Sequence, residues 1–492
     1  MDAFDVFLAD TAAPSVPPLL PATGRGVRSL ILAFVKEHLA QTRDDMLFVG
    51  EEAMADKLGC ARAGLEAEPP ELASVETLAA AVEGNCWSKL TGSGWAHVCL
   101  REAFVISKLL RAAACAMTDA PSTRGALRHL DVAFILGGPN TVVRDCIQLC
   151  TPALSKPHHE TGSASAEHGR KRHRLPDPPV MPVLSFPIER CCDIGDAEPY
   201  RARFRDNSPF VLQGAMHDWR ALERWADLEW LRAEFGDRIV PVEIGRLGPS
   251  IHTADAGLHG TGNPPAPRIR LAGSPSTSVT PASDGDAPPG VSGNQSERGA
   301  SGSQSKTGIS VGHSERGTCG AWSERLLPLS EMIDSFLADG AVGGVGYLAQ
   351  HPLFEQLHSL CADFSVPRIC SFGKLQHINV WLGSGGTITP LHFDSYDNVL
   401  AQVAGYKYIR LYAADQTPYL YQQQVHAGGG LAAQGNLSAV EVESPDLEAH
   451  PLFAQAVYTE TVLAPGEMLF IPAKCWHYVR SLSTSFSVSF WF

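Results

Sequence analysis

His392-Phe393-Asp394 sets an imidazole and a carboxylate two positions apart. On a β-strand, residues i and i+2 project to the same face, so the two donors would converge on one point. A third donor on a neighbouring strand, His477, would complete a face of two imidazoles and one carboxylate. Such a face suits non-haem Fe(II) and leaves coordination positions open for a substrate and for oxygen. With 18 His and 53 Asp plus Glu in the chain, chance supplies about two H-x-[DE] triplets; the sequence has four. His129/Asp131 falls in a helical stretch, where i and i+2 diverge. His158/Glu160 and His313/Glu315 fall in polar linkers without a scaffold. Only His392/Asp394 enters a β-rich block, behind Gly385-Gly386-Thr387-Ile388-Thr389-Pro390-Leu391.

An Fe(II) oxygenase commonly takes 2-oxoglutarate, whose keto-acid end chelates the metal. The far carboxylate then needs a cation or hydroxyl inside the fold. In the stretch Tyr406 to Tyr412, Lys407, Ile409 and Leu411 share one face, and Tyr406, Tyr408, Arg410 and Tyr412 share the other. Lys407 is either an outward cation on an exposed face or a buried ammonium whose partner is a bound carboxylate.

These residues must be positioned by short strands. His377 to Leu382, Val399 to Val403, Tyr406 to Tyr412 (with Gly405 at the turn before it), Met468 to Ile471 and Ser485 to Phe492 all read as β, which suggests a jelly roll or small barrel. Phe210 to Leu212 and Ile239 to Ile244 read as further strands, and Leu222 to Phe235 as a helix. Residues 1–151 are Ala/Leu-rich and helical, with Val27, Leu30, Ile31, Phe34, Val35 and Leu39 on one stripe. The fold class is therefore α+β: an N-terminal all-α domain (1–151), a linker (152–182) and a C-terminal β domain (183–492). Residues 247–320 contain no Phe, Trp or Tyr and are rich in Gly, Pro and Ser. That stretch cannot bury enough apolar area to offset its ordering entropy and reads as a disordered insertion.

The net charge of −14 disfavours phosphate-driven nucleic-acid binding and favours basic partners. No apolar run approaches a membrane span. The acidic start, with Asp2, Asp5 and Asp10, resembles neither a secretory nor a mitochondrial leader, so a cytoplasmic or nuclear location is expected. The basic run 170–174 reads as a nuclear signal or as a solvated charge cluster. Cys146, Cys150, His158 and His159 lack the spacing of a zinc site and read as idle groups.

The strings ITPLHFDSYDNVLAQVAGYKYIRLY and APGEMLFIPAKCWHYVRSLSTSFSVSFWF resemble the jumonji-C (JmjC) family of 2-oxoglutarate/Fe(II) oxygenases. Trp87-Ser88-Lys89-Leu90, Trp95 and the Ala126 to Leu136 helix are similar to a helical N-terminal region found in that family. The resemblance implies a double-stranded β-helix (cupin) from about residue 185 onward. It implies Fe(II) held by His392, Asp394 and His477, and 2-oxoglutarate held by Lys407 with Asn398, Thr389, Tyr347 and Trp491 nearby. It implies that Gln350, Trp381 and Glu243 border a peptide pocket. Oxygen is then spent on decarboxylating 2-oxoglutarate to succinate and hydroxylating a C–H bond. A hydroxylated methylene persists; a hydroxylated N-methyl group collapses to a demethylated amine.

The expected substrate is a basic protein or peptide, such as a histone, ribosomal or chromatin-associated protein. Glu243 favours a guanidinium, hence arginine hydroxylation; methyl-lysine demethylation is the alternative. A non-catalytic cupin that only binds is a further alternative from another class. Metal binding is expected to weaken below roughly pH 6, because imidazole must be neutral to ligate.

Overall fold

The computed structural model describes residues 24–90, 98–117, 120–138, 140–151, 179–192, 195–245, 323–423 and 435–492. The basic run 170–174, most of the expected linker and the whole of 247–320 lie outside the described residues.

Among the described residues the N-terminal part shows a bundle of six helices: α1 (Gly24–Phe48), α2 (Glu52–Glu66), α3 (Leu72–Leu90), α4 (Val98–Ala116), α5 (Ala120–Gly137) and α6 (Thr141–Cys150). In α1 the four-residue stripe Val27, Ile31, Val35 and Leu39 is buried. Helix α4 is buried nearly all round, from Ala103 and Phe104 through Leu109 and Leu110 to Ala113. That pattern marks the central helix of a bundle. Asn140 caps α6 by accepting from the amides of Val142 and Val143.

Among the described residues the C-terminal part has thirteen strands. They are β1 (Arg190–Cys192), β2 (Phe210–Gln213), β3 (Ile239–Gly245), β4 (Ser323–Pro328), β5 (Val345–His351), β6 (His377–Gly383), β7 (Ile388–Phe393), β8 (Asn398–Ala404), β9 (Lys407–Tyr412), β10 (Thr459–Leu463), β11 (Glu467–Ile471), β12 (Trp476–Ser481) and β13 (Ser485–Trp491). Nine form one sheet in the order β1-β2-β11-β8-β13-β6-β5-β3-β4, and four form a second, β10-β9-β12-β7. The result is the expected α+β architecture with a double-stranded β-helix. Leu222 to Phe235 is interrupted at Trp225–Asp227, where Asp227 caps a new helix, α7 (Leu228–Phe235), by accepting from Glu229 and Trp230 amides.

Period-two alternation divides each strand between two cores. On the large sheet, Val240, Leu348, Val380, Val399, Val488 and Phe490 face an outer core that also holds Trp225, stacked 4.7 Å from Phe486. Burying each such side chain contributes about 1.5–3 kcal/mol. On the small sheet, Tyr408, Tyr412, Trp476 and Tyr478 face outward into a separate aromatic cluster. The alternate residues of both sheets face each other inside the β-helix. At the tight turn before β9, Gly405 has φ +71°, and a Cβ there would lie 2.0 Å from the Thr484 carbonyl oxygen.

β3 and β4 are antiparallel neighbours with Ile244 opposite Ser323. The chain ends flanking residues 246–322 are therefore one strand spacing apart, which a hairpin turn spans. Replacing 246–322 with a short turn is expected to preserve the fold and 2-oxoglutarate turnover. Shortening by about four halvings should stabilise the domain by about 2 kcal/mol. Thermal melting and succinate release check this; insoluble or non-cooperatively melting protein would refute it.

Candidate active site

His392 and His477 are cross-strand partners on β7 and β12. The pairing then skips: Val479 faces Thr389, so β7 carries a bulge at Pro390-Leu391. The bulge lets Thr389 and His392, three residues apart, both face inward while Leu391 points into the outer aromatic cluster. Asp394 follows one residue beyond β7. Its Oδ1 lies 3.9 Å from His392 Nε2 and its Oδ2 3.7 Å from His477 Nε2. The two imidazole centroids are 4.1 Å apart.

Each imidazole is held from behind. His392 Nδ1 lies 2.8 Å from the Pro390 carbonyl, and His477 Nδ1 lies 3.1 Å from the Cys475 carbonyl. A carbonyl can only accept, so Nδ1 carries the proton and Nε2 presents its lone pair toward Asp394. Burial pushes both imidazoles down to about 4, His392 being lowered further by its His477 neighbour. Burial raises the Asp394 carboxyl above its ordinary value. Two neutral imidazoles and a carboxylate thus meet as acceptors in a desolvated corner, a donor set that fits Fe(II). Because burial keeps both imidazoles neutral to lower pH than an unperturbed histidine, metal binding is expected to weaken only below the roughly pH 6 expected from the sequence, which Co(II) titration against pH would check.

One cavity collects this trio with Tyr347, Trp381, Thr389, Asn398, Leu400, Lys407, Ile471 and Val479. Lys407 is only 2% exposed and faces this cavity from β9. No hydrogen bond or ion pair to its ammonium is found among the described residues, and burial alone lowers it to about 7. Its nearest aromatic neighbour is Tyr347, with the ring centroid 5.8 Å away. Tyr347 meets the Thr389 hydroxyl, and burial raises its phenol. The Tyr347 ring has room because Gly383 stands opposite it; a Cβ there would come within 2.5 Å of Tyr347 Cδ2. Asn398 Oδ1 is buried without a hydrogen-bond partner. A cation-lined, under-satisfied cavity beside a metal-type donor set fits an organic dianion.

The remaining expected residues lie around this cavity. Trp381 lines it, with its indole N–H donating to Ser489 Oγ at 2.9 Å. Trp491 is not in the wall; it stands beside Asn398, its cross-strand partner, stacks on Tyr396, and its buried Nε1 lacks a partner. Gln350 is exposed at a bulge of β5 and is not in the wall. Glu243 is exposed beside Tyr347, its cross-strand partner. Glu324, which sequence reasoning missed, is the partner of Glu243 on β4. Residues opposite one another share a face, so both carboxylates continue the Tyr347 side of the sheet. Leu400 and Val479 were also missed, although the period-two rule applied to Asn398 and His477 points to them. Phe393 turns away from the trio and meets Trp476 edge-on at 4.8 Å.

A second trio, Glu76, Cys115 and His129, converges in the helical bundle. Burial and the adjacent Lys108 and Arg111 cations lower its histidine to about 4. The same cations oppose a metal ion there. No described helix is long and apolar enough to cross a membrane.

A family model described as a cupin-like domain matches residues 197–492. The chain is 31% identical over 469 residues to JmjC domain-containing protein F of Dictyostelium discoideum, covering 82% of this chain and 85% of that protein. It is 31% identical over 385 residues to lysine-specific demethylase 8 of Danio rerio, covering 74% of each. It is 29% identical over 326 residues to Jumonji C domain-containing protein 5 of Drosophila melanogaster, covering 64% of this chain and 63% of that one. Together with the strand order and the inward-facing trio, these likenesses make the chain a member of the JmjC family, the cupin-fold oxygenases that depend on Fe(II) and 2-oxoglutarate.

Proposed function

We propose that this enzyme hydroxylates an arginine side chain in a basic protein. The observation that carries the reading is the cavity itself: a buried ammonium and a metal-type trio in one enclosure, flanked by two carboxylates in register. His392, Asp394 and His477 hold Fe(II). Lys407, helped by the Tyr347 and Thr389 hydroxyls, receives the far carboxylate of 2-oxoglutarate, and Asn398 supplies a further polar contact. With both bound, the metal supplies the oxidation: 2-oxoglutarate, O2 and a C–H bond become succinate, CO2 and C–OH.

The protein's share is positioning and water exclusion. Leu400, Ile471 and Val479 keep the enclosure apolar between its polar groups. Glu243 and Glu324 supply the negative charge that draws in a cationic side chain, and a guanidinium pairs with carboxylates in fork geometry. Trp381 offers a face for that cation to stack on. Methyl-lysine demethylation is the second reading, supported by relatives named lysine-specific demethylases. The intact trio and the buried lysine argue against a cupin that only binds.

Mass spectrometry separates the readings. The enzyme is incubated with histones and ribosomal proteins, Fe(II), 2-oxoglutarate and isotopically labelled oxygen gas. Labelled oxygen on an arginine is the expected result. Loss of lysine methyl groups without retained label would establish demethylation instead.

The Lys407 environment also sets a pH dependence. In the free protein its ammonium is lowered to about 7, and a bound carboxylate favours the charged form. Binding of 2-oxoglutarate above pH 7 must therefore take up a proton. Affinity should weaken as pH rises through about 7, approaching roughly tenfold per unit above it. Anaerobic titration calorimetry in buffers of different ionisation enthalpy measures the proton uptake. A flat affinity between pH 6.5 and 8.5 would rule out Lys407 as the anchoring cation.

A further inference from the structure

Helix α5 buries Leu127, Leu130, Asp131 and Phe134 on one face. The three apolar residues suit a bundle core. A carboxylate with no exposed surface does not, unless a partner offsets its desolvation. That partner comes from the β domain. Arg238, immediately before β3, is itself 5% exposed. Its guanidinium meets Asp131 as a fork, with Nη2 to Oδ1 at 2.6 Å and Nε to Oδ2 at 2.9 Å. Asp131 Oδ2 also accepts the amide of Ile239, the first residue of β3, at 2.9 Å.

The contact continues into β5. Arg238 Nη2 donates to the Gln356 carbonyl at 3.0 Å. The Gln356 side chain donates to the Ile239 carbonyl at 2.7 Å, and its Oε1 lies 2.8 Å from His351 Nε2. His351 ends β5, and its ring stands edge-on to Phe134 of the same helix α5, with centroids 6.1 Å apart. It also closes the β5 bulge: Leu348 pairs with Leu382 and His351 with Val380. Gln350, inside the bulge, has φ +46°, a conformation that a non-glycine residue keeps only when its surroundings hold it.

The two strands pinned in this way carry Glu243 and Tyr347. The metal-type trio lies on and beside β7 and β12, in the other sheet. We infer that the helical bundle is a working part of the oxygenase, in which Asp131 is a positioning residue. It sets β3 and β5, and through them the Tyr347 and Glu243 side of the cavity, without bearing on the metal donors. The inference rests on the co-substrate role given above to Tyr347. A purely adhesive contact would instead lower the melting temperature and leave the site unchanged.

The test uses the full chain as D131A and as the double variant D131L/R238M. Replacing a buried ion pair by apolar residues of similar size commonly preserves folding. It cannot, however, replace the bonds to the Ile239 amide and the Gln356 carbonyl. The double variant is therefore the deciding sample. Three quantities are read: hydrogen exchange at 239–245 and 345–351 against 388–394 and 476–481; KM for 2-oxoglutarate from succinate release; and Co(II) affinity. We expect at least tenfold faster exchange in β3 and β5 and a three- to tenfold higher KM. Co(II) affinity and exchange in β7 and β12 should stay within twofold of wild type. A wild-type KM for 2-oxoglutarate in D131L/R238M, whether or not exchange in β3 and β5 is faster, would overturn the inference. Absence of succinate release from the wild-type protein would instead overturn the functional reading, and the exchange data would still decide the coupling.

Discussion

His392→Ala, Asp394→Ala and His477→Ala are each expected to reduce 2-oxoglutarate turnover to background while leaving the protein folded, with succinate release and thermal melting as the measurements. The size of the effect follows from the donor count. Outer-shell partners of a metal site typically matter by roughly 10- to 100-fold, and removal of a coordinating atom should exceed that. Folding survives because the trio is not part of the apolar cores: the two Nε2 atoms and the Asp394 carboxylate face the cavity. Removing the Asp394 charge from its desolvated corner should hold or raise the melting temperature of the metal-free protein. Turnover at the wild-type rate in any of the three variants would remove that residue from the metal site.

Lys407→Ala and Arg410→Ala should separate affinity from stability, although the two residues lie three apart on one strand. A charge-assisted hydrogen bond contributes about 1.5–3 kcal/mol, so Lys407→Ala should weaken 2-oxoglutarate binding by roughly ten- to a hundredfold. It should not lower the melting temperature, since it removes a buried ammonium without a protein partner. Arg410 faces the opposite way. Its Nε donates to the Tyr408 hydroxyl at 2.9 Å, its guanidinium lies 4.2 Å from the Tyr458 ring centroid, and Glu460 stands 3.8 Å away. Arg410→Ala leaves the buried Glu460 carboxylate with less compensation and should cost up to about 3 kcal/mol of stability, with co-substrate affinity near wild type. Titration and thermal melts of the two variants decide; a reversed pattern would mean that the face of β9 is assigned wrongly.

The residues proposed to carry the chemistry were legible because period-two alternation is local. Lys407, Ile409 and Leu411 point one way and Tyr408, Arg410 and Tyr412 the other whatever surrounds them. The strand around His477 was harder to read. Trp476 to Ser481 is buried on both faces, so alternation of polarity is muted there. The bulge at Pro390-Leu391 had no clear signal beyond the proline, yet it brings Thr389 inward with His392. Glu324 was invisible because its meaning depends on the β3–β4 pairing across the long segment between those strands. The helix Leu72–Leu90 was not read individually, since its buried face is mostly Val, Ala and Cys rather than large residues. Asp131 was set aside as a metal-ligand candidate for a sound geometric reason, while its actual partner, Arg238, belongs to the other part of the molecule and leaves no local trace.

With Fe(II) held as proposed, the register that pairs His392 with His477 would also make the metal a structural staple. The two histidines are distant in the chain and become neighbours only when β7 and β12 align. A one-residue slip would turn one imidazole to the opposite face and dismantle the donor set. The unfolded chain has no comparable chelate, so bound metal selects the native alignment by mass action. At a hundredfold excess over its dissociation constant it would add about 2.7 kcal/mol to stability. Iron supply would then govern how long the protein survives proteolysis as well as how fast it turns over.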